Sequence, residues 1–310
     1  MVNISVVIPV YNEEKNVEEV LKRVRDEMIK ITNSFEIIFI DDGSKDSTFG
    51  ILKSLKPKNH ELKIIKFQKN FGQTPAMLAG FKYAKGDIIV TMDGDMQNDP
   101  KDIQNILNKI KEGYDVVSGW RYKRSDPFLT KKLPSLLANG IRRMITKEKI
   151  HDSGCSLKAF TKKSVSGLVL LGETHRFIPA ILQLKGYKIG EVRVNHHPRI
   201  KGKTKYNHKR LFNGMFDLIN ITFWHKYSTK PLYFFGKMGF YCIMLATMII
   251  LYHAYLLLRS IPVHVGPLLL GAVMLIIIGI QFFSLGLLGE IQIKNYYKDN
   301  DSYIVDEVIE

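Results

Sequence analysis

Two hydrophobic rhythms alternate along the N-terminal part of the chain. Asn3 to Val10 is β-branched and apolar, which predicts a buried parallel-type strand that Pro9 and Asn12 bring to an end. Val17, Val20, Leu21, Val24 and Met28 then recur at helical spacing among charges, predicting a helix over Glu13 to Lys30. The same alternation continues. Strands are expected at Phe35 to Ile40, Leu62 to Phe67, Asp87 to Met92 and Tyr114 to Gly119. Between them fall a helix running to about Leu55 with Asp46 or Ser47 as its cap, a helix over Gln73 to Tyr83, and one carrying Ile103, Ile106, Leu107 and Ile110. Pro100 reads as a first-turn residue of that last helix. Short links between alternating strands and helices predict an α/β fold, with a mostly parallel sheet covered on both faces.

Past Arg121 the rhythm loosens. Tyr122 to Thr130 is basic and contains proline, and Lys131 to Met144 looks helical and basic. His151 to Phe160 is short and strand-like, Thr174 to Leu184 helical, Tyr187 to Val194 a strand, and Asn195 to Lys205 a basic loop. Asn207 to His225 has a bulky apolar face with Lys209 and Arg210 at its start. It fits either the headgroup layer of a membrane or an ordinary core helix. Its place just before the next segment favours the former.

Leu232 to Leu258 is apolar with Lys237 its lone charge, and Val265 to Leu288 has none. A bilayer core needs about 20 such residues per helix. The link from Arg259 to His264 is too short for a domain, so the pair is expected as a transmembrane hairpin. Lys226, Lys230, Lys237, Lys294 and Lys298 flank its outer ends, against Arg259 in the link. By the positive-inside rule the N-terminal domain is expected in the cytoplasm. The expected division is therefore 1–206 as a cytoplasmic domain, 207–230 as an interfacial helix, 231–289 as the hairpin and 290–310 as a cytoplasmic tail. Ser302 to Ile309 is expected to add an edge strand.

Charge sharpens the partner class. Lys and Arg exceed Asp and Glu by 45 − 30 = 15, so an anionic partner is expected. Nucleic acid would account for the charge but not for two apolar spans, and is not expected. A transporter is disfavoured because no intramembrane ionisable pair is visible. Cys155 and Cys242 are expected as unpaired thiols in a reduced compartment, since Cys242 lies in an apolar span. A signal peptide is not expected, because Asn3 and Pro9 interrupt the first apolar run.

In parallel sheets ligands sit beyond the C-terminal strand ends. Three polar clusters fall there: Tyr11–Glu13, Asp41–Ser44 and Asp93–Gln97. In the last, Asp93 and Asp95 flank Gly94 on a tight turn. Carboxylate oxygens suit Mg²⁺ or Mn²⁺, and Mg²⁺ shares its shell with substrate phosphates. The turn thus reads as a metal–diphosphate site, or as an acidic turn beside a helix start. His151, His196 and His197 lack the spacing of a zinc site. Cys155 reads as a packed thiol rather than a nucleophile.

Six motifs, taken in order, resemble family-2 glycosyltransferases, and within them the polyprenyl-phosphate glycosyltransferases that include dolichyl-phosphate mannose synthase. They are Val7-Ile8-Pro9-Val10-Tyr11-Asn12-Glu13-Glu14, Asp41-Asp42-Gly43-Ser44, Asn70-Phe71-Gly72-Gln73, Met92-Asp93-Gly94-Asp95-Met96-Gln97, Asp152-Ser153-Gly154-Cys155 and Gly202-Lys203-Thr204-Lys205-Tyr206. The resemblance implies a GT-A type, Rossmann-like fold, with Pro9, Tyr11, Glu13 and Asp42 around the base and ribose. It implies that Asp93 and Gly94 line the nucleotide, and that Asp95 and Gln97, with Asp93, hold the cation. The group usually has Ala where Gly94 stands, so this turn is expected to be looser. Arg121 is implied near the donor diphosphate and the acceptor phosphate, with Lys131 and Ser135 holding the lipid phosphate. Relatives often carry Arg at the first of these positions; Lys keeps the charge without the fork. Arg199 and Lys205 match a basic pair closing over the donor. Asp152 is expected to face the acceptor, or to orient Arg or Lys side chains or the metal shell.

The implied reaction is inverting transfer of one sugar from a UDP- or GDP-sugar to a polyprenyl phosphate at the cytoplasmic membrane. Some members of the group assemble as tetramers, so a homo-oligomer is an expectation. Two rivals differ in product. A processive polysaccharide synthase would generally carry a Gln-x-x-Arg-Trp motif, which this sequence lacks. A non-catalytic, membrane-anchored nucleotide-sugar binder would have no use for the Asp-x-Asp pair.

Overall fold

The computed structural model describes residues 3–122, 150–168, 170, 174–198, 227, 230–261 and 266–297. Seven strands make one sheet: β1 (Ile4–Val10), β2 (Phe35–Asp41), β3 (Leu62–Lys66), β4 (Ile88–Thr91), β5 (Val116–Arg121), β6 (Lys158–Thr161) and β7 (Ile189–Val194). The helices of the same unit are α1 (Val17–Ile31), α2 (Thr48–Leu55), α3 (Gln73–Tyr83), α4 (Asp102–Lys111), α5 (Lys162–Val165) and α6 (Ile178–Leu184). The chain divides into two compact units, 1–219 and 220–310.

The strands lie in the order β3-β2-β1-β4-β6-β5-β7. All pairings are parallel except those of β6, which runs antiparallel to both β4 and β5. The physical reason is where β6 enters. β5 stops at Arg121 on the C-terminal edge, and β6 begins with Lys158 opposite Thr91 and Ser118, close to that same edge. A chain returning from the edge at which it left must run backwards; a parallel partner would need a crossover.

Alternation along the strands builds two cores. Val6, Ile8, Ile37, Phe39, Val90 and Val117 face α1 and α4, meeting Val20, Val24, Ile103 and Ile106. Val7, Ile38, Ile40, Ile89, Val116 and Phe160 face α3 and α6, meeting Ala76, Met77, Ile178 and Leu182. Each fully buried aliphatic or aromatic side chain contributes about 1.5–3 kcal/mol. Local details depart from the sequence reading: the strand-like run His151 to Phe160 is strand only from Lys158, and the helix expected from Glu13 begins at Val17. Pro100 lies two residues ahead of α4 rather than in its first turn, and its carbonyl accepts from Ile103. Thr174 to Leu184 is not one helix: a 3₁₀ turn, Thr174–Phe177, precedes α6, whose second residue is Pro179. At α2 the cap position is Ser47, whose carbonyl accepts from the Ile51 N–H at 3.0 Å, and the preceding Asp46 Oδ1 accepts from the Thr48 N–H at 3.0 Å and from its hydroxyl at 2.5 Å.

The second unit contains α7 (Pro231–Leu258) and α8 (Pro267–Tyr297), both long and apolar enough to cross a membrane. α8 continues past the expected Leu288. The two pack antiparallel through glycine. A Cβ on Gly239 would lie 2.7 Å from the Gly279 carbonyl oxygen, and one on Gly286 would lie 2.9 Å from Leu232. Such close backbone approach is how helices associate where lipid removes any hydrophobic drive between them. The expected helix over Lys131 to Met144, nearly all of the interfacial segment 207–230, and the edge strand at Ser302 to Ile309 lie outside the described residues.

Gly43, after β2, has φ +68°, and a Cβ there would meet the Lys69 carbonyl carbon at 2.3 Å. Gly43→Ala therefore adds a left-handed penalty to a backbone clash. It is expected to cost about 2–4 kcal/mol and lower the melting temperature of the solubilised protein by roughly 5 °C or more. Melting within 1–2 °C of the parent would contradict this tight junction.

Candidate active site

β1 and β2 end level, while β4 stops three residues short of the end of β1. Val10 is in register with Asp41, and Val7 with Thr91. The turns that follow are thereby brought to one edge and laced together. Asn12, held at φ +52°, donates its N–H to the Ser44 hydroxyl (2.9 Å) and accepts from the Lys45 N–H (2.8 Å). The Glu13 N–H donates to Thr48 Oγ1 at 2.9 Å, while the buried Glu13 carboxylate accepts from Asn16 Nδ2 at 2.6 Å. Tyr11 is half-buried at the end of β1 and Pro9 lies within the strand.

Asp42 sits one residue past β2 and is 4 % exposed. Its oxygens accept from the Phe71 N–H (2.7 Å), the Gly72 N–H (2.9 Å) and Asn70 Nδ2 (2.9 Å). Burial pushes the carboxyl above its usual value; the two N–H groups pull it back part of the way, and the charge of Asp41 adds to the rise. The sequence reading offered this carboxylate to a base or sugar. The structure adds an architectural task, since it clamps the segment leading into α3.

Next comes the turn after β4. Asp93 Oδ1 accepts from Gln73 Nε2 at 2.8 Å, and Asp95 Oδ1 accepts from the Gln97 N–H at 3.2 Å. Met96 takes φ +66° between them. Gly94 is not a loosening substitution here. A Cβ at that position would fall 2.6 Å from Val10 Cγ1, so glycine lets the turn sit directly on β1. The far side of the turn is buttressed from β7: the His197 N–H donates to the Gln97 carbonyl (2.9 Å), and the Asn195 N–H to Asp102 Oδ2 (2.6 Å).

Arg121 ends β5 and meets Asp152 as a two-pronged ion pair, Nε to Oδ2 at 2.7 Å and Nη2 to Oδ1 at 2.9 Å. Their side chains are only 14 % and 7 % exposed, which sets this pair apart from a surface salt bridge. Burial alone would lower the guanidinium, but the hydrogen bond and charge of Asp152 hold it above its ordinary value, with a contribution from Asp93. Both Asp152 oxygens are thus engaged by Arg121. Asp152 is fixed in turn by Glu191, which accepts from its N–H at 3.1 Å.

Beneath this pair lies a lysine that sequence reasoning missed. Lys158 opens β6, is 3 % exposed, and donates Nζ to the Ser153 carbonyl at 3.1 Å and to the Cys155 carbonyl. Burial lowers its pKa, while the charges of Asp152 and Asp93 oppose that fall. A charge inside the apolar run Leu157 to Phe160 was the available signal. Cys155 is 1 % exposed, and burial pushes its thiol up to about 11, which suits a packed thiol rather than a nucleophile.

The structure therefore brings Pro9, Tyr11, Glu13, Asp42, Asp93, Gly94, Asp95, Gln97, Arg121 and Asp152 to the C-terminal side of the sheet. Lys131, Ser135, Arg199 and Lys205 lie outside the described residues. Among the described residues no three His, Cys, Asp or Glu side chains form a ready-made metal cage. Two carboxylates and the Gln97 amide on one turn remain a fitting donor set for a hard cation that takes its other ligands from diphosphate and water.

A model of "Glycosyl transferase family 2" matches residues 5–168. "Dodecaprenyl-phosphate galacturonate synthase" of Rhizobium johnstonii is 37 % identical, covering 99 % of this chain and 93 % of the relative. "Undecaprenyl-phosphate 4-deoxy-4-formamido-L-arabinose transferase" of Shewanella sediminis is 34 % identical, covering 99 % and 92 %. Glucosyl-3-phosphoglycerate synthase of Mycobacterium tuberculosis, solved with Mn²⁺, uridine diphosphate and phosphoglyceric acid, superposes with a TM-score of 0.55 at 16 % identity. That match covers 72 % of this chain and 78 % of the neighbour, and it shows that the fold is of the GT-A type. The chain belongs to glycosyl transferase family 2, in its polyprenyl-phosphate glycosyltransferase group.

Proposed function

We propose that the protein transfers one sugar from a nucleotide-diphosphate sugar to a polyprenyl phosphate, with inversion, at the cytoplasmic face of the membrane. The observation that carries this reading is the Asp93–Asp95 turn on the same sheet edge as the buried Arg121–Asp152 pair. Both lie on the C-terminal side of the sheet, which supports a reading in which the turn would serve a hard cation and the Arg121 guanidinium a phosphate. Two relatives with near-complete coverage carry polyprenyl phosphates in their names, and a fold neighbour was solved with Mn²⁺ and a nucleoside diphosphate.

The chemistry asks little of the protein beyond placement. An oxygen of the lipid phosphate attacks the anomeric carbon from the face opposite the leaving group. One C–O bond forms, the bond to the diphosphate breaks, and the electron pair leaves with the nucleoside diphosphate. The attacking oxygen is already anionic near neutral pH, so no general base is required. In this proposal Tyr11, Glu13 and Asp42 hold the nucleoside, and Asp93, Asp95 and Gln97 hold a divalent cation. When bound, that cation neutralises charge on the departing diphosphate. Arg121, locked by Asp152, presents its remaining N–H groups to phosphate without reorganising during the reaction. Lys131, Ser135, Arg199 and Lys205 join the proposal through the resemblance alone. The paired apolar helices would keep the chain on the membrane that contains the acceptor, which favours encounter over capture from bulk.

The direct test is a panel of UDP- and GDP-sugars offered to the full chain in nanodiscs containing undecaprenyl phosphate. A single-sugar lipid is expected, lost in EDTA and restored by Mn²⁺ or Mg²⁺. A polymeric product, or nucleotide binding with no transfer from any donor, would overturn the reading. Asp95→Ala is expected to lower kcat by about 10²–10³-fold with the circular dichroism unchanged, a loss typical of removing one electrostatic stabiliser. Arg121→Lys keeps the charge but loses the fork. One lost charged hydrogen bond at roughly 1.5–3 kcal/mol corresponds to a drop of about 10–150-fold in kcat/KM for the lipid. Unchanged lipid kinetics would remove Arg121 from the acceptor side.

A further inference from the structure

The segment from Asn70 to Gln73 touches both halves of the proposed donor site. At one end it is bound to Asp42 through Asn70 Nδ2 and the N–H groups of Phe71 and Gly72. Gly72 then turns with φ +98°, a conformation that glycine adopts without penalty. The next residue, Gln73, starts α3 and donates Nε2 to Asp93 Oδ1 at 2.8 Å. Thr74 follows, buried, with its hydroxyl 2.9 Å from His175 Nδ1, and Gly80 packs α3 on β1 so closely that a Cβ would meet Val7 at 2.2 Å. The base from which Gln73 reaches is therefore fixed on three sides. Most glutamines in the first turn of a helix point to solvent; this one spends its donor on a carboxylate of the proposed metal turn.

We propose that Gln73 is a positioning residue for the cation site. By occupying Oδ1 it sets the rotation of the Asp93 carboxylate and directs Oδ2 toward the cation and diphosphate. This role rests on the glycosyl-transfer reading given above. An amide is suited to it: it donates to a carboxylate without adding a charge that would compete with a bound cation, as lysine would. Freed of Gln73, Asp93 would sample several rotations, and the cation would have to select one of them. Partners that orient a ligating carboxylate typically change metal affinity by about 10–100-fold when removed.

Gln73→Met preserves length and helix propensity while deleting the amide. Mn²⁺ binding would be read by electron paramagnetic resonance on the full chain in nanodiscs, with no nucleotide present. The variant is expected to bind Mn²⁺ at least tenfold more weakly. Its melting temperature should stay within about 2 °C, and its EDTA-treated form should bind UDP or GDP, whichever the parent holds more tightly, within twofold. Asn70→Ala is the contrasting variant, cutting one bond to Asp42 at the other end of the same segment. It should weaken metal-free nucleotide binding and leave Mn²⁺ affinity within twofold. Mn²⁺ affinity unchanged in Gln73→Met would sink this role alone. Parallel loss of Mn²⁺ binding, nucleotide binding and thermal stability would assign Gln73 to packing instead, and equally overturn it. A parent chain that binds no Mn²⁺ would remove the metal reading, and this role with it.

Discussion

A buried carboxylate organises the polar edge of this sheet. Asp42 carries a charge into a site that is 4 % exposed, and burial of an ionised group is costly unless donors surround it. Three donors from Asn70, Phe71 and Gly72 do so. Their compensation is incomplete, because burial still holds the carboxyl above its usual range. With a native value above the unfolded one, what Asp42 contributes to stability is full below the unfolded value and falls away as pH rises through the native one. A carboxylate has about four acceptor positions and the clamp fills three. That leaves room for about one more donor, such as a nucleoside could supply. The same acid that fixes the loop can serve the ligand, and neither use excludes the other.

The second polar cluster depends on topology rather than on a single acid. Because β6 runs antiparallel between β4 and β5, its first residue, Lys158, lies opposite both Thr91 and Ser118. That puts a buried lysine under the turn from Asp152 to Cys155, its Nζ tying down two of the turn's carbonyls. The turn in turn presents Asp152 to Arg121. Gly119 permits the arrangement, since a Cβ there would meet Cys155 Sγ at 2.9 Å and the Leu157 carbonyl oxygen at 2.9 Å. Breaking a buried pair such as Arg121–Asp152 leaves a stranded charge and typically costs about 3–5 kcal/mol. In the proposed function such a pair would keep its geometry while a phosphate comes and goes, which a mobile surface arginine would not.

What could be read from the chain beforehand follows from the range of each signal. Periodicity is local, and it located α3 at Gln73 to Tyr83 and the three polar turns after β1, β2 and β4. Two apolar stretches of the required length pointed to α7 and α8 for the same reason. By contrast, the antiparallel entry of β6 depends on where the chain returns after a long excursion, and four residues carry too little pattern to reveal direction. The Asp42 clamp joins residues 28–30 positions apart, and the Gln73–Asp93 bond spans 20. Polar partners at such separations obey no period. Gly94 shows the converse error. Taken alone, a glycine replacing alanine reads as slack; placed against Val10, it is a tight contact.

The two units solve opposite solvent problems with the same residue types. In the first, apolar side chains vanish into two layered cores. In the second, Leu251, Leu257, Met274 and Ile280 are more than half exposed. A water-soluble protein rarely leaves so much contiguous apolar surface uncovered. In lipid the same surface needs no cover, and the helices must associate by shape instead. Gly239 and Gly279 supply that shape by bringing backbone against backbone. The polar side chains Thr247 and Ser284 return their hydroxyls to carbonyls one turn back, Ile243 and Ile280, at 2.8 and 3.1 Å. Each hydroxyl is thereby satisfied within its own helix, which is what a bilayer core demands of any donor it surrounds. Two helices of this length and exposure suggest membrane association, and the inward-turned hydroxyls are compatible with it.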